Sequence, residues 1–302
     1  MPTPKLHADE VHTDAALVGR LITEQFPQWV DLPIEPVRER GTDNALYRLG
    51  KQLVVRLPRM DQAALALDKE YRWLPKLAPL LPLAVPVPLA KGRPAAGYPW
   101  QWSVYRWLEG ETATVQCISD NGQAASDLAA FIAALQRVDP GDGPPPGEHN
   151  GFRGEPLAAR DEAVRASLAS LGNAVDVDAA TAAWEAALLA PLWQRAAVWI
   201  HGDLDRRNLL VTRGRLSGVI DFGCLGVGDP ACDVMVAWKV LSADARDRFR
   251  AALEIDEATW GRARGWALSQ ALGALSYYTL ETNEVLVREA RRWLAEVLDL
   301  DQ

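Results

Sequence analysis

The amino-acid sequence predicts an α+β protein with a small β-rich N-terminal part and a larger, mainly helical C-terminal part. Short β-prone runs and many prolines fill the first hundred residues, whereas segments with helical periodicity dominate from residue 127 onward. The chain has 302 residues, of which 49% are hydrophobic and 24% charged, and this length suits two modest lobes. The predicted boundary divides the chain into residues 1–107 and residues 108–302.

The N-terminal part is predicted to contain a hairpin, a helix and a further strand. Two β-prone runs flank Gly50-Lys51, which forms a suitable hairpin turn. Leu67 and Leu74 then recur at helical spacing. The predicted elements are strands at residues 44–49, 52–57 and 102–108 and a helix at residues 63–77.

The C-terminal part is predicted to consist of helices interrupted by short apolar runs. Leu128, Phe131, Ile132 and Leu135 follow the spacing of one helix face. The predicted helices cover residues 127–138, 157–171, 179–190 and most of 233–300, and the short β-runs cover residues 198–200, 209–211 and 218–220.

Cysteine content and charge exclude several classes of protein. Three cysteines without a CxxC pair argue against a disulfide framework or a thiolate zinc site. The net charge of −8 disfavours a nucleic-acid partner, and it suits either a cationic substrate or simple solubility. No apolar run is long enough to cross a membrane, and the first ten residues lack the pattern of a secretion signal. We therefore expect a cytoplasmic protein without a nucleic-acid or membrane partner.

A polar stretch between short apolar runs carries the candidate chemistry. Residues 200–210 read IHGDLDRRNLL, and residues 219–223 read VIDFG. Phosphoryl transfer needs a carboxylate beside the acceptor hydroxyl and hard oxygen ligands for magnesium. Asp203 suits the first role, and Asn208 and Asp221 suit the second. Each residue alone could simply form a turn, but their fixed order between β-runs favours a functional site.

The stretch HGDLDRRN followed by IDFG resembles the aminoglycoside phosphotransferase family, relatives of the protein kinases that act on small molecules. The resemblance covers nearly the whole chain. It implies a bilobal protein-kinase-like fold, ATP or GTP as phosphate donor, Mg²⁺ as cofactor and a small-molecule hydroxyl as acceptor. It also implies that Asp203 is the catalytic base and that Asn208 and Asp221 bind magnesium. Asp229 and Asp233 would hold the loop, although Asp233 could equally be a plain helix cap.

The resemblance further implies nucleotide-binding residues in the N-terminal part. Arg56 and Glu70 match the pair that places a cation on the nucleotide phosphates, with arginine where lysine is usual, as in the macrolide-kinase branch. A turn around Gly41 takes the position of the loop over the phosphates. Backbone groups near Tyr105 and Trp107 would bind the adenine or guanine edge. Glu70 could instead be a surface residue, and the Gly41 segment a plain turn.

Two other functional classes are less compatible with the sequence. A protein kinase needs a long activation loop, but Asp229-Pro230 follows Asp221 too closely to leave room for one, and Gly202 replaces the arginine of H-R-D. An inactive kinase-like nucleotide-binding module would normally lack the base or a metal ligand, whereas Asp203, Asn208 and Asp221 are all present here.

The acceptor is predicted to be an aminoglycoside-type antibiotic, and a macrolide or a small metabolite (an amino alcohol, a sugar or homoserine) is the alternative. Glu281 and Glu284 would suit the amines of an aminoglycoside, and aromatic residues such as Trp266 and Tyr277 would suit a macrolide. Each of these residues could also belong to the core or to a solvated helix face.

Overall fold

The computed structural model describes residues 11–37 and 44–299. Its helices are α1 Ala15–Gln25, α2 Asp61–Leu77, α3 Asn121–Arg137, α4 Asp161–Leu171, α5 Val177–Leu188, α6 Ala231–Val234, α7 Val236–Val240, α8 Ala243–Ala252, α9 Glu257–Tyr277 and α10 Leu280–Leu298. Its strands are β1 Ile34–Pro36, β2 Asn44–Leu49, β3 Leu53–Pro58, β4 Pro88–Gly92, β5 Trp102–Arg106, β6 Glu111–Thr112, β7 Val198–Ile200, β8 Leu209–Thr212, β9 Arg215–Val219 and β10 Gly226–Gly228.

Five strands of the N-terminal part form one antiparallel sheet in the order β1-β2-β3-β5-β4. Gly50 connects β2 to β3 at a φ of +60°, which glycine adopts without steric cost. One face of the sheet packs on α1, and the buried Leu21, Leu49 and Trp102 belong to this smaller core. The predicted hairpin is therefore confirmed.

Helix α2 connects the smaller core to the larger one. Its last turns carry Trp73, Leu74 and Leu77, all of which belong to the core of the C-terminal part. Farther along the chain, Ala84 donates its N–H at 3.2 Å to the carbonyl of Ser217, which lies within β9. The two parts are thus packed against each other at several points besides the connecting chain.

The long helix α9 lies at the centre of the C-terminal part. It contacts α4, α5, α6 and α10, and most of its residues between 262 and 272 are buried. Two small antiparallel sheets, β7 with β10 and β6-β8-β9, lie at the edge of this helical body. The stretch with the candidate chemistry connects β7 to β8, so a rigid scaffold holds it at both ends.

The predicted α+β architecture is confirmed, with differences at the ends of elements. Helix α3 begins at residue 121 because the Asp120 side chain accepts the Gln123 N–H and caps the helix six residues earlier than predicted. The helical segment predicted for residues 233–300 is divided into α6 to α10, and α1 was not predicted. None of the helices in the described ranges is long and apolar enough to cross a membrane.

Candidate active site

The carboxylate of Asp233 holds the first residues of the loop between β7 and β8. Its Oδ2 accepts the His201 N–H at 2.8 Å, and its Oδ1 accepts the Gly202 N–H at 2.7 Å. Gly202 has a φ of +83°, and a Cβ there would lie 2.6 Å from the Cys224 carbonyl oxygen, so only glycine fits. The buried His201 ring contacts the Ile220 carbonyl and the Asp203 N–H, which makes this histidine a structural brace.

Asp203 emerges from this loop into a positively charged environment. Its side chain is 24% exposed, with Lys239 Nζ at 3.5 Å from Oδ1 and Arg207 Nη2 at 3.8 Å from Oδ2. Burial raises the pKa of the Asp203 carboxyl, but Lys239, Arg207 and Arg153 lower it by more, so the net shift is well below the ordinary value. Asp203 is therefore ionised at neutral pH, and one carboxylate face remains accessible.

Asn208 and Asp221 lie next to Asp203 on two neighbouring segments. Asn208 donates Nδ2 to the Asp203 carbonyl at 2.8 Å and to its Oδ2 at 3.2 Å, which directs the amide oxygen elsewhere. The Ile220 N–H donates to the Asn208 carbonyl at 2.9 Å and ties the two segments together. Asp221 is 44% exposed and has a φ of +61°, an unusual backbone conformation for aspartate that often marks functional residues.

The donor atoms of this pair suit magnesium. One amide oxygen and one carboxylate are hard ligands, and they leave most coordination positions to phosphate oxygens and water, as Mg²⁺ prefers. Within the described ranges, no cluster of three or more His, Cys, Asp or Glu side chains could hold a metal by itself. The arrangement therefore fits a nucleotide-bound magnesium ion better than a resident metal.

The predicted cation–carboxylate pair forms between β3 and α2. Arg56 Nη1 contacts both Glu70 oxygens at 2.7 Å, and Arg56 Nη2 contacts Asp221 Oδ1 at 3.1 Å. Glu70 is 1% exposed and also accepts the Tyr105 hydroxyl at 2.5 Å, so it is not a surface residue. Glu70 and Asp221 hold the Arg56 guanidinium at the junction of the lobes. Burial lowers the pKa of Arg56, but these two carboxylates raise it by more, so the net shift is above the ordinary arginine value.

The positions of the other predicted nucleotide-binding residues say less about their role. Gly41 lies outside the described residues. Tyr105 lies within β5, paired with Val54 and Pro88, and its hydroxyl donates a hydrogen bond to Glu70. The Trp107 N–H donates to the Gln52 carbonyl at 2.7 Å and is therefore not available to a base in this structure. The role of this segment at the base edge stays a prediction.

Four basic residues near the site were not among the predicted site residues. Lys239 and Arg207 face Asp203, Arg153 contacts the Gly202 carbonyl, and Lys69 reaches the Gly223 carbonyl at 2.8 Å. Arg207 lies inside the HGDLDRRN motif and could have been included. Lys239 is the one charged residue within the apolar run 234–241, and a single charge in such a run could also have marked it as a site residue.

Comparisons with known proteins identify a family and a fold. The family model described as "APH: Phosphotransferase enzyme family" matches residues 34–266. The fold is similar to the GDP complex of an aminoglycoside 2'-phosphotransferase-IIIa, with 20% identity, a TM-score of 0.73, and coverage of 95% of this chain and 99% of that one. It is also similar to the macrolide 2'-phosphotransferase MphH from Brachybacterium faecium, with 25% identity, a TM-score of 0.61, and coverage of 96% and 99%.

A third similar structure is a macrolide 2'-phosphotransferase type I, with 21% identity, a TM-score of 0.63, and coverage of 93% of this chain and 97% of that one. No curated protein has a sequence that significantly matches this chain. The bilobal protein-kinase-like fold predicted from the sequence is confirmed by these structural likenesses.

Proposed function

The chain belongs to the APH phosphotransferase enzyme family, and from that premise we propose that it transfers the γ-phosphate of ATP or GTP, bound with magnesium, to a hydroxyl group of a small molecule. The observation that carries the proposal is the convergence of four residues, namely Asp203, Asn208, Asp221 and Arg56. Asp203 lies within hydrogen-bond reach of Asn208, and Asp221 is joined to Arg56 from the other lobe. Asp203 would thus face the acceptor hydroxyl, while the amide oxygen of Asn208 and the carboxylate of Asp221 would face the nucleotide.

Each residue then has a distinct task. Asp203 accepts a hydrogen bond from the acceptor hydroxyl and aligns it with the γ-phosphate. Because neighbouring cations lower the pKa of Asp203, it is a weak base, and this suits a loose transition state in which the hydroxyl loses its proton late. When bound, magnesium would neutralise charge on the phosphate oxygens. Asn208 and Asp221 would hold it, while Glu70 orients Arg56 towards the phosphates.

An aminoglycoside-type acceptor stays a prediction, as does a macrolide or a small metabolite. Similar structures carry the names of both kinds of antibiotic kinase. Of the two carboxylates predicted to meet amines, Glu284 is paired with Arg288 at 2.5 Å on an exposed helix face. Trp266 is fully buried, and Tyr277 is 65% exposed beside Tyr278. These contacts favour neither antibiotic.

The test is release of ADP or GDP in the presence of a panel of acceptors, namely aminoglycosides, macrolides, sugars, amino alcohols and hydroxy acids. We expect Asp203→Ala to lower transfer by about 10²- to 10⁴-fold while nucleotide affinity changes little. The exposed Asp31→Ala serves as the control and should retain full activity. Full transfer by Asp203→Ala would refute the assignment. Nucleotide binding with equal, negligible transfer by wild type and variant would support the inactive module.

A further inference from the structure

Two arginines without a carboxylate partner lie beside the catalytic loop. Arg153 follows the 3₁₀ turn Glu148–Asn150, and Arg160 ends the next turn, just before α4. Their guanidinium carbons lie 6.0 and 5.8 Å from the centre of the Trp266 ring. Within the described part of the chain, neither arginine forms an ion pair with an aspartate or glutamate.

The backbone fixes one of these arginines close to the catalytic carboxylate. Arg153 donates Nε to the Gly202 carbonyl and Nη1 to the Gly151 carbonyl, both at 3.1 Å. Arg160 makes a single long contact to the Ser269 hydroxyl at 3.4 Å, which leaves most of its donors free. Burial lowers the pKa of Arg160, and the like charge of Arg153 lowers it further. Asp203 faces Arg153 and favours its charged form, whereas Glu155 offsets the effects of burial and of Arg153 on Arg160 only in part. An anion bound beside Arg160 would therefore stabilise the pair.

Buried donors on α9 point to the same chemistry. Trp266 Nε1 and Gln270 Nε2 are buried, and neither has a hydrogen-bond acceptor within the described ranges. The two residues are one turn apart and so share a helix face. The amide oxygen of Gln270 already accepts Lys239 Nζ at 2.7 Å. Two donors on this face of α9 therefore lack acceptors within the described ranges, and one of them belongs to the tryptophan whose ring lies against both arginines.

The charges nearer the loop are largely matched among themselves. Asp203 and Asp205 are matched by Arg207 and Lys239, which lie within 2.5 to 3.8 Å of their oxygens. Arg153 faces Asp203 as a third cation, while the carboxylates of Asp221 and Asp233 lie beside the same loop, so the loop itself carries no excess of positive charge. On the side of Trp266, Arg160 has no ion pair within the described ranges, and an acidic group would be attracted to it.

We propose that Arg153 and Arg160 form a binding site for an anionic group, a carboxylate or a phosphate, carried by the acceptor. The acceptor would then be a small hydroxylated acid or phosphate ester whose hydroxyl is presented to Asp203. This inference rests on the proposed kinase function and specifies the substrate class of the same site.

Anion binding is tested first on the full chain by NMR, following the Arg Nε–H signals and the Trp266 indole N–H. The probes are acetate, inorganic phosphate and neutral acetamide at constant ionic strength. We expect saturable shifts with acetate or phosphate, whichever anion the site prefers, and none with acetamide. Arg160→Gln should raise the Kd of the anion about 10- to 100-fold. Arg195→Gln is the control and should leave this Kd unchanged. Arg195 also lies over a tryptophan, with its guanidinium carbon 5.6 Å from the centre of the Trp193 ring, but it is exposed.

The same titration is repeated with saturating magnesium and a non-hydrolysable nucleotide. If the nucleotide displaces the anion, the arginines serve the donor phosphates and the proposal is overturned. Absence of saturable binding, equal binding of acetamide, or an unchanged Kd in Arg160→Gln would overturn it too.

Turnover separates this proposal from the kinase function. Gluconate, glucose 6-phosphate, glucose and glucosamine share a carbon skeleton and differ in charge. Asp203-dependent transfer that favours an anionic member and loses this preference in Arg160→Gln supports the proposal. Asp203-dependent transfer that favours a neutral or cationic acceptor overturns the anionic acceptor and leaves the kinase function intact. Transfer that is independent of Asp203 overturns the role of Asp203, and the absence of transfer to every acceptor overturns the kinase function, even if acetate or phosphate still binds.

Discussion

Replacement of Lys239 by methionine removes the ammonium group nearest to the Asp203 carboxylate. Lys239 is fully buried and lies 3.5 Å from Asp203 Oδ1 and 3.3 Å from Asp205 Oδ2. Its Nζ also lies 4.3 Å from the centre of the Trp293 ring. Methionine has a similar length and keeps most of the apolar contact, so the main changes are the loss of one positive charge and of the hydrogen bond to the Gln270 amide oxygen.

The size of the effect follows from the distance. Two unit charges 3.5 Å apart interact by about 4–5 kcal/mol at an effective dielectric constant of ~20, equivalent to about 3 pKa units. Asp203 is partly exposed, and Arg207 and Arg153 remain, so we expect its pKa to rise by about 1–2 units in Lys239→Met. The rise is towards the ordinary aspartate value, because the charge that stabilised the ionised form has been removed.

The assay is a carboxyl-carbon NMR titration of protein labelled in aspartate, with Asp203→Asn to identify the resonance. Lys239→Arg keeps the charge and should retain the low pKa. Lys76→Met is the matched control, because Lys76 Nζ lies 4.5 Å from the Trp73 ring on an exposed helix face without a carboxylate. The Tm of each variant shows whether it is folded. This check is needed because the buried Asp205 retains only Arg207 as an ion-pair partner once Lys239 is replaced by methionine. An Asp203 midpoint that moves by less than about half a unit in a folded Lys239→Met protein would refute the reasoning.

Three further changes probe the junction of the lobes. Asp221→Ala should weaken nucleotide binding by about 10- to 100-fold with magnesium and much less without it, and equal losses in calorimetry would contradict a metal-binding role. Glu70→Ala leaves Arg56 and Tyr105 without their shared carboxylate, so we expect about 3–5 kcal/mol less stability in urea unfolding, and an unchanged midpoint would argue against the buried pair. Burial lowers the pKa of Lys69 from 10.5 to about 8. The folded state therefore loses this proton first, and the stability of wild type relative to Lys69→Met should rise by about 3 kcal/mol between pH 8 and 10.5. A constant difference would exclude the shift.

The sequence was sufficient for the parts of the site that depend on short-range order. Asp203 and Asn208 are five residues apart in one loop, and Asp221 follows a short strand that returns beside them, so their convergence could be predicted from the motif. Arg56 and Glu70 were placed by resemblance, and the structure brings them to 2.7 Å. Their catalytic and binding roles stay predictions until the variants are measured.

The charges around Asp203 could not be predicted in the same way. Lys239 lies 36 residues after Asp203 and Arg153 lies 50 residues before it, and their positions depend on how α7 and the 3₁₀ turns pack on α9. Helical periodicity shows which face of a helix is buried, but it does not show which distant loop that face meets. The electrostatic character of the acceptor side therefore follows only from the tertiary structure.

Two consecutive residues of α2 fix both ends of the segment that carries Asp221. Glu70 holds Arg56, which contacts Asp221 Oδ1 at 3.1 Å, and Lys69 contacts the Gly223 carbonyl at 2.8 Å. Lys69 also contacts the His149 carbonyl at 3.1 Å, so the same ammonium links α2 to the loop that leads to Arg153. A shift of α2 would therefore move the candidate magnesium ligand and the candidate acceptor loop together. These contacts link the candidate magnesium ligand to the candidate acceptor loop through one helix.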